Sequence, residues 1–155
     1  MLTIIPKKLL YSIGDISRQL NQFSLELVSE SFPMKRADDF ISIYPFFRVK
    51  DGEMNSIREI TKAIVAKGHE EEGTLIFTAA FTDTHLFLRE CYKDIDAFHV
   101  HLKSVEDILD DFFAKLELEH LVIVADEEKT QLMKKEMSSL GMDAHFPVVH
   151  DGFAI

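Results

Sequence analysis

The fold is decided by the stretch from Glu90 to Leu102, which reads Glu-Cys-Tyr-Lys-Asp-Ile-Asp-Ala-Phe-His-Val-His-Leu. Its first residues have the character of a strand, and Asp94 is a suitable N-cap for the helix that follows, because its carboxylate can accept backbone N–H bonds. His101 then lies two turns into that helix. An acid, a phenol and an imidazole, on Glu90, Tyr92 and His101, are therefore gathered at one strand-to-helix junction, where we expect any chemistry to lie.

Two apolar segments and one amphipathic segment surround this junction. Thr74 to Phe81 and His85 to Tyr92 are rich in apolar and aromatic residues, and a short polar segment separates them, which predicts an antiparallel hairpin. Ser104 suggests a second cap and a bend in the following helix. That helix has an apolar face made of Ile95, Phe98, Leu102, Val105, Ile108, Leu109, Phe112 and Phe113.

A strand and a helix precede the hairpin. Phe40 to Val49 is rich in Ile, Phe and Tyr and is closed by a turn at Asp51-Gly52. Pro45 cannot donate to a ladder, which favours an edge position for this strand or a start after the proline. Helical spacing then runs from Met54, and Gly68 is a candidate C-terminal cap.

The C-terminal part contains one more strand, a helix and a short strand. Leu118 to Ala125 includes Leu-Val-Ile-Val and predicts a buried strand, and Asp126 suits the start of a helix. Gly141 ends that helix, and Ala144 to Val149 predicts a last short strand. We interpret Met133 and Met137 on this helix as packing residues.

The order of these elements, a helix, then βαββαβ, then αβ, is typical of an α+β ferredoxin-like fold. We expect an N-terminal helical extension over residues 1–38 and a single domain over residues 39–155 that ends in a C-terminal αβ extension. Helices on only one face of the antiparallel sheet would leave the other face apolar and exposed, which predicts a homodimer. The N-terminal extension carries an apolar stripe at helical spacing, made of Leu9, Ile13, Ile16, Leu20, Phe23 and Leu27. This stripe predicts a helix that lies on the domain, forms a dimerisation seam or binds a partner.

Composition limits the function classes. The chain has 155 residues, of which 46% are hydrophobic and 28% charged, which fits one globular domain. A net charge of −10 and a pI near 5.1 argue against nucleic acid as a partner. The sequence has no long apolar run for a membrane span and no secretory signal, so we expect a cytoplasmic protein. The single cysteine, Cys91, excludes an internal disulfide.

With this order of elements, two motifs resemble the antibiotic biosynthesis monooxygenase family of dimeric α/β barrels. The first is Glu90-x-Tyr92-x-Asp94-x-Asp96-Ala97-Phe98-x-x-His101-Leu102. The second is Glu71-Glu72-Gly73-Thr74-Leu75, which is similar to that family's Glu-Pro-Gly before the second strand, with Glu72 at the usual proline position. The likeness covers Phe40 to Leu116, about half of the chain.

The resemblance implies two protomers whose sheets close into a barrel, each enclosing a pocket for a small aromatic molecule. Some relatives oxygenate phenolic polycyclic compounds with O₂ and need no metal or flavin, so no cofactor is expected. The absence of tryptophan from this sequence is a departure from the haem-degrading branch. Because one fold hosts several activities, we keep two functions: a cofactor-independent monooxygenase acting on a small phenolic or quinol-like molecule, and a non-catalytic small-molecule-binding or regulatory protein.

Cofactor-independent oxygenation needs a base that deprotonates the phenol and donors that hold the oxyanion. His101 is the candidate base, Tyr92 can orient the substrate oxygen, and Glu90 can fix the imidazole. Candidate substrate-binding residues are Arg48, Arg89 and His85. On a strand, however, Arg89 and Cys91 face away from Glu90 and Tyr92, so one pocket cannot hold all four.

Other readings of these residues are structural. Glu90 and His101 can instead bond backbone groups at the junction or across a dimer. His99 and His101 are two apart on a helix, which is the wrong spacing for a metal pair, and His145, His150 and Asp151 lack companion ligands. No metal site is therefore expected. The acid run Glu70 to Glu72 is interpreted as a solvated turn.

Overall fold

The computed structural model describes residues 36–154, so the predicted N-terminal helix, with its stripe from Leu9 to Leu27, lies outside the described residues. Ala37–Ala154 form one compact unit. The longer elements follow in the predicted order. They are β2 (Ile41–Val49), α1 (Met54–His69), β3 (Thr74–Phe81), β4 (His85–Tyr92), α2 (Ile95–Ala114), β5 (Leu116–Val124) and α3 (Glu127–Ser139), with two-residue strands β1 (Arg36–Ala37) and β6 (Phe153–Ala154) at the ends.

The four long strands form one antiparallel sheet in the order β3-β4-β2-β5. This arrangement confirms the α+β ferredoxin-like fold. The three helices of residues 36–154 all pack on the same face, which carries Ile43, Phe47, Leu88 and Tyr92. The opposite face, hereafter the open face, has no helix of residues 36–154 on it. No described helix is long and apolar enough to cross a membrane.

Pro45 lies in an interior strand, so the expected edge position is wrong. Strand β2 is flanked by β4 and β5, and Pro45 is paired with Leu121 of β5. The ladder to β4 runs from Ile43 opposite Glu90 directly to Phe46 opposite Phe87 and omits the proline. The missing N–H therefore falls in a gap of the ladder, which is how an inner strand accommodates it.

Helix α2 begins as predicted and is continuous from Ile95 to Ala114. The Asp94 side chain accepts a hydrogen bond from the Ala97 backbone N–H at 2.9 Å, which is an N-cap interaction. The helix then continues through Ser104 without interruption, so the expected second cap is absent. In α1, Gly68 lies inside the last turn and the helix ends one residue later.

The C-terminal segment is less regular than predicted. The expected strand from Ala144 to Val149 is reduced to two isolated parallel bridges, in which His145 pairs with Val122 and Val148 with Ala125. Pro147 between the two bridges cannot donate to a ladder, which explains the interruption. His145, His150 and Asp151 are exposed.

Candidate functional site

Strand β4 separates its side chains as the period of two predicts. Leu88, Glu90 and Tyr92 are buried on the helix-covered face, whereas Phe87 and Arg89 are exposed on the open face. The first three therefore point toward α2, which carries His101. Glu90 and His101 thus come to the same side of the sheet.

Glu90 and Tyr92 form a buried hydrogen-bonded pair. The Tyr92 hydroxyl donates to Oε2 of Glu90 at 2.8 Å, and Tyr92 is fully buried. Burial raises the pKa of Glu90 to about 7, although the Tyr92 hydrogen bond opposes this shift. Burial, together with the adjacent Glu90, also raises the pKa of Tyr92. Glu90 is therefore substantially protonated at neutral pH, and Tyr92 remains a hydrogen-bond donor.

His101 is paired with Glu71, a residue that the sequence had placed in a solvated turn. The distance from His101 Nδ1 to Glu71 Oε2 is 2.9 Å, and the two side chains are only 5% and 7% exposed. The Thr74 hydroxyl donates to the same oxygen at 2.6 Å. Burial alone would raise the pKa of Glu71, but hydrogen bonds from Ser104, Thr74 and His101 outweigh burial, and the pKa lies below its ordinary value. Glu71 is thus an anion held against an imidazole.

A close backbone approach places Glu71 beside α2. Gly73 follows Glu71 by two residues, and its carbonyl accepts a hydrogen bond from the Lys93 N–H at 3.0 Å. A Cβ atom at position 73 would lie 2.4 Å from the Cβ of Ala97, which no pair of carbon atoms tolerates. Only glycine therefore allows the start of β3 to contact the first turn of α2. The glycine of the Glu-Glu-Gly motif indicates a close backbone contact at this position. That signal could have predicted that Glu71 lies near α2 and therefore near His101.

A cavity of about 150 Å³ lies between the sheet and the helices. Glu90 and His101 line this helix-side cavity, and its other lining side chains are apolar. Aromatic rings pack around the imidazole, with the ring centroids of Phe77 and Tyr92 at 5.1 and 5.5 Å. The apolar lining consists of Ile43, Pro45, Phe47, Ile64, Phe77, Leu88, Phe98, Leu102, Val105, Leu109, Phe112, Phe113, Leu118, Leu121, Met137, Leu140 and Met142.

Tyr92 is close to the helix-side cavity but does not line it. Its hydroxyl is engaged by Glu90, and its ring packs edge-on against Phe98 with centroids 5.5 Å apart. The structure therefore brings the three catalytic candidates together with different access to a ligand. Glu90 and His101 line the cavity, whereas Tyr92 is hydrogen-bonded to Glu90 and lies outside the lining.

The three substrate-binding candidates lie away from this cavity, toward the open face. Arg48 forms a 2.6 Å ion pair with Glu119, and Nε2 of His85 lies 3.4 Å from the other oxygen of that carboxylate. The His85 ring stacks on Phe46 with centroids 5.0 Å apart. Arg89 is exposed on the same face. None of the three lines the helix-side cavity, so none of them is placed to contact a ligand bound there within one protomer.

The two histidines of α2 have separate partners. His99 Nε2 lies 3.2 Å from a carboxylate oxygen of Glu136 on α3, whereas His101 faces Glu71. Among residues 36–154, no group of three His, Cys, Asp or Glu side chains is arranged to hold a metal ion. Cys91 is buried, with its sulfur 3.7 Å from the Ser42 hydroxyl.

No protein-family model and no curated protein sequence matches the chain. Among solved structures, MupZ from Pseudomonas fluorescens has a TM-score of 0.68 at 15% identity, covering 76% of this chain and 96% of its own. Rv0793 from Mycobacterium tuberculosis has a TM-score of 0.51 at 14% identity, covering 56% and 94%. These two likenesses show the fold alone. A third structure, from Chloroflexus aurantiacus J-10-fl and provisionally named an antibiotic biosynthesis monooxygenase, has a TM-score of only 0.45 at 16% identity. It covers 54% of this chain and 88% of its own.

Proposed function

We propose that the protein is a cofactor-independent monooxygenase that oxygenates a small phenolic or quinol-like molecule with O₂ in the helix-side cavity. One observation carries the proposal. In a cavity that is otherwise apolar, the two ionisable side chains are His101, backed by the buried Glu71, and Glu90, whose pKa is raised to about 7. An apolar pocket with a few convergent polar groups is the usual form of a small-molecule site.

His101 is the base. Because ionised Glu71 can only accept hydrogen bonds, the proton of their hydrogen bond resides on Nδ1. The neutral imidazole then has its lone pair on Nε2, which makes no hydrogen bond to the described residues. Glu71 fixes the tautomer and stabilises the imidazolium that forms when Nε2 takes the phenolic proton, as the acid of an acid–histidine dyad does.

Protonated Glu90 is the donor that holds the oxyanion. The Tyr92 hydroxyl occupies Oε2, so the carboxylic proton is left on Oε1. A neutral carboxylic acid in an apolar site is a strong donor toward a developing phenolate. The acid therefore favours the anion that His101 creates.

The oxidation balances without a cofactor. The phenolate transfers one electron to O₂, and the resulting radical and superoxide combine at a ring carbon that bears hydrogen to give a hydroperoxide. Loss of that carbon's proton, with cleavage of the O–O bond, leaves a new C=O group and releases water. One oxygen atom stays in the product, the other leaves as water, and the substrate supplies all four electrons.

We further propose that the working form is a homodimer closed through the open face. On that face the side chains of Tyr44, Ile76 and Phe87 are 41%, 39% and 43% exposed. They form an apolar patch that no described helix covers. Arg48, Arg89 and His85 lie at or beside this patch and would contact the second protomer. Their predicted role in substrate binding would then depend on the dimer.

The alternative is a non-catalytic binding protein. It is favoured by the same Glu71–His101 pair, because this buried pair also links the α1–β3 connection to α2 and so has a structural use. A binding protein needs the cavity but not a proton-accepting Nε2. The two functions therefore differ in what happens when the imidazole is replaced.

Oxygen consumption distinguishes the two functions. Phenols and hydroquinones with one to three rings are incubated with the wild type and with His101→Gln, and O₂ uptake is followed with an electrode. We expect uptake by the wild type and its loss in His101→Gln, with circular dichroism and ligand binding retained. His99→Gln is the matched control on the same helix and should behave as the wild type. Binding without uptake by the wild type would favour the binding protein.

A further inference from the structure

The C-terminal end of α3 builds one wall of the helix-side cavity. Met137, Leu140 and Met142 line it there. Gly141 has a φ of +67° and donates its N–H to the Ser138 carbonyl at 3.2 Å, while Met142 donates to the Met137 carbonyl at 2.9 Å. These bonds form a Schellman motif, which brings the residue after the glycine back against the last turn of the helix. The turn therefore returns Met142 to the cavity beside Met137.

The cavity has room for one aromatic ring. A volume of about 150 Å³ accommodates a benzene-sized molecule, whereas pockets for larger ligands span roughly 300–1,000 Å³. The walls from the sheet and from α2 include four buried side chains, those of Phe47, Leu88, Phe98 and Phe112. In the α3 wall Met137 is equally buried, but Leu140 is 47% exposed and Met142 is half-buried, so a substitution at either of the last two positions can enlarge the cavity without opening the core.

We infer that Met137, Leu140 and Met142 set the size limit of the site. The limit selects substrates with a single aromatic ring, namely phenols and hydroquinones, and excludes their fused two-ring analogues. The inference rests on the proposed function for the chemistry of the ligand. The size limit itself concerns binding alone and can be measured without turnover.

Binding of phenol and 1-naphthol to the full chain, measured by calorimetry without O₂, tests the limit. A second ring that fitted would bury more apolar surface and tighten binding. We expect the reverse in the wild type, with 1-naphthol bound about tenfold or more weakly than phenol, because it does not fit. Leu140→Ala and Met142→Ala should bring the two dissociation constants to within about threefold. Leu132→Ala, at an exposed position of α3 outside the cavity lining, should keep the wild-type ratio.

Several results would overturn the inference. These are 1-naphthol binding to the wild type as tightly as phenol, no measurable binding of either compound, and an unchanged ratio in folded Leu140→Ala. If Met142→Ala fails to fold, Leu140→Ala alone tests the inference, because a half-exposed position tolerates truncation. If the protein consumes O₂ but binds phenol and 1-naphthol equally well, the size limit is wrong and the proposed function still holds. Size-selective binding without oxygen uptake would do the opposite.

Discussion

Nδ1 of His101 lies 2.9 Å from Oε2 of Glu71, a residue 30 positions earlier in the chain, and both side chains are almost fully buried. The pair connects the turn before β3 to the second turn of α2. It fixes one nitrogen of the imidazole, while the side chain as a whole lines the helix-side cavity. The proposed chemistry depends on this division of the ring into a fixed side and a reactive side.

Replacing Glu71 by Gln removes the charge that supports the imidazolium but keeps an acceptor of similar shape. We expect kcat for O₂ uptake to fall by about 10⁴-fold, the loss seen when the acid of a Ser-His-Asp triad is replaced by its amide, with little change in phenol affinity. Glu70→Gln is the matched control, because Glu70 is exposed and pairs only with His69 among the described residues. An unchanged kcat in Glu71→Gln would make this pair purely structural.

The stability of the protein should depend on pH through Glu90. Its pKa is about 7 in the folded chain and near 4.5 in the unfolded chain, so the folded state holds this proton where the unfolded state has lost it. The contribution of Glu90 to the free energy of unfolding should therefore be greatest below about pH 5. This contribution should be lost as the pH rises through 7, which lowers the free energy of unfolding by on the order of 3 kcal/mol.

Urea denaturation of the wild type and of Glu90→Gln, between pH 5 and pH 8, measures this contribution. The amide does not titrate, so the difference between the two proteins isolates Glu90 from the histidines. Glu71 does not contribute in this window, because its pKa is lowered and its stabilising effect is lost only at more acidic pH. Parallel pH profiles for the two proteins would show that Glu90 is not buried as described.

Catalysis should fail at alkaline pH for a related reason. Once Glu90 ionises, it repels the phenolate that His101 must create, so we expect kcat/KM to decline above about pH 7. In Glu90→Gln the side chain remains a donor at all pH values, and this decline should be absent or displaced upward. A decline of the same midpoint in the variant would assign it to another group.

A side chain at position 73 should be costly. The Cβ of Gly73→Ala would lie 2.4 Å from that of Ala97, so the start of β3 must move away from α2, and we expect a loss of about 1–3 kcal/mol in the free energy of unfolding. The double variant Gly73→Ala with Ala97→Gly should recover part of it. Gly68→Ala, whose Cβ would meet its neighbours at 3.7 Å, is the control and should be tolerated. Equal stability of the two alanine variants would contradict the close approach.

The proposed dimer can be tested on the open face. Phe87→Glu places a charge in the exposed apolar patch and should convert a dimer to a monomer in light scattering. Val100→Glu, at a more exposed position on α2, should leave the assembly unchanged. A wild-type protein that is monomeric, or a dimer that survives Phe87→Glu, would remove the dimer from the account.

The parts of the fold that follow from local rules could be predicted, and those that depend on contacts distant in sequence could not. The period of two placed Glu90 and Tyr92 on one face of β4, and the Asp94 cap fixed the start of α2. Pro45 was assigned to an edge because nothing local reveals that the β4 ladder omits it. Ser104 lies inside a continuous helix, where it helps to lower the pKa of Glu71 and does not cap a helix.

The candidate site shows the same division. Sequence reasoning found His101 and Glu90 but read Glu71 as a solvated acid, because only the folded chain brings it to the imidazole. Met137 packs in the core as predicted, and it is also part of the cavity wall beside the turn at Gly141. Arg48 and His85 lie outside the cavity lining and pair with Glu119, which local spacing does not reveal, and their role in substrate binding stays a prediction.

The fate of the two oxygen atoms of O₂ shows whether the protein is a monooxygenase. A hydroquinone with one ring is incubated with the protein under ¹⁸O₂, and the promptly quenched product is analysed by mass spectrometry. The proposed chemistry places one ¹⁸O atom in the product and the other in water, and His101→Gln should give no labelled product while His99→Gln does. Oxidation of the hydroquinone without incorporation of ¹⁸O, or labelling that persists in His101→Gln, would contradict the account.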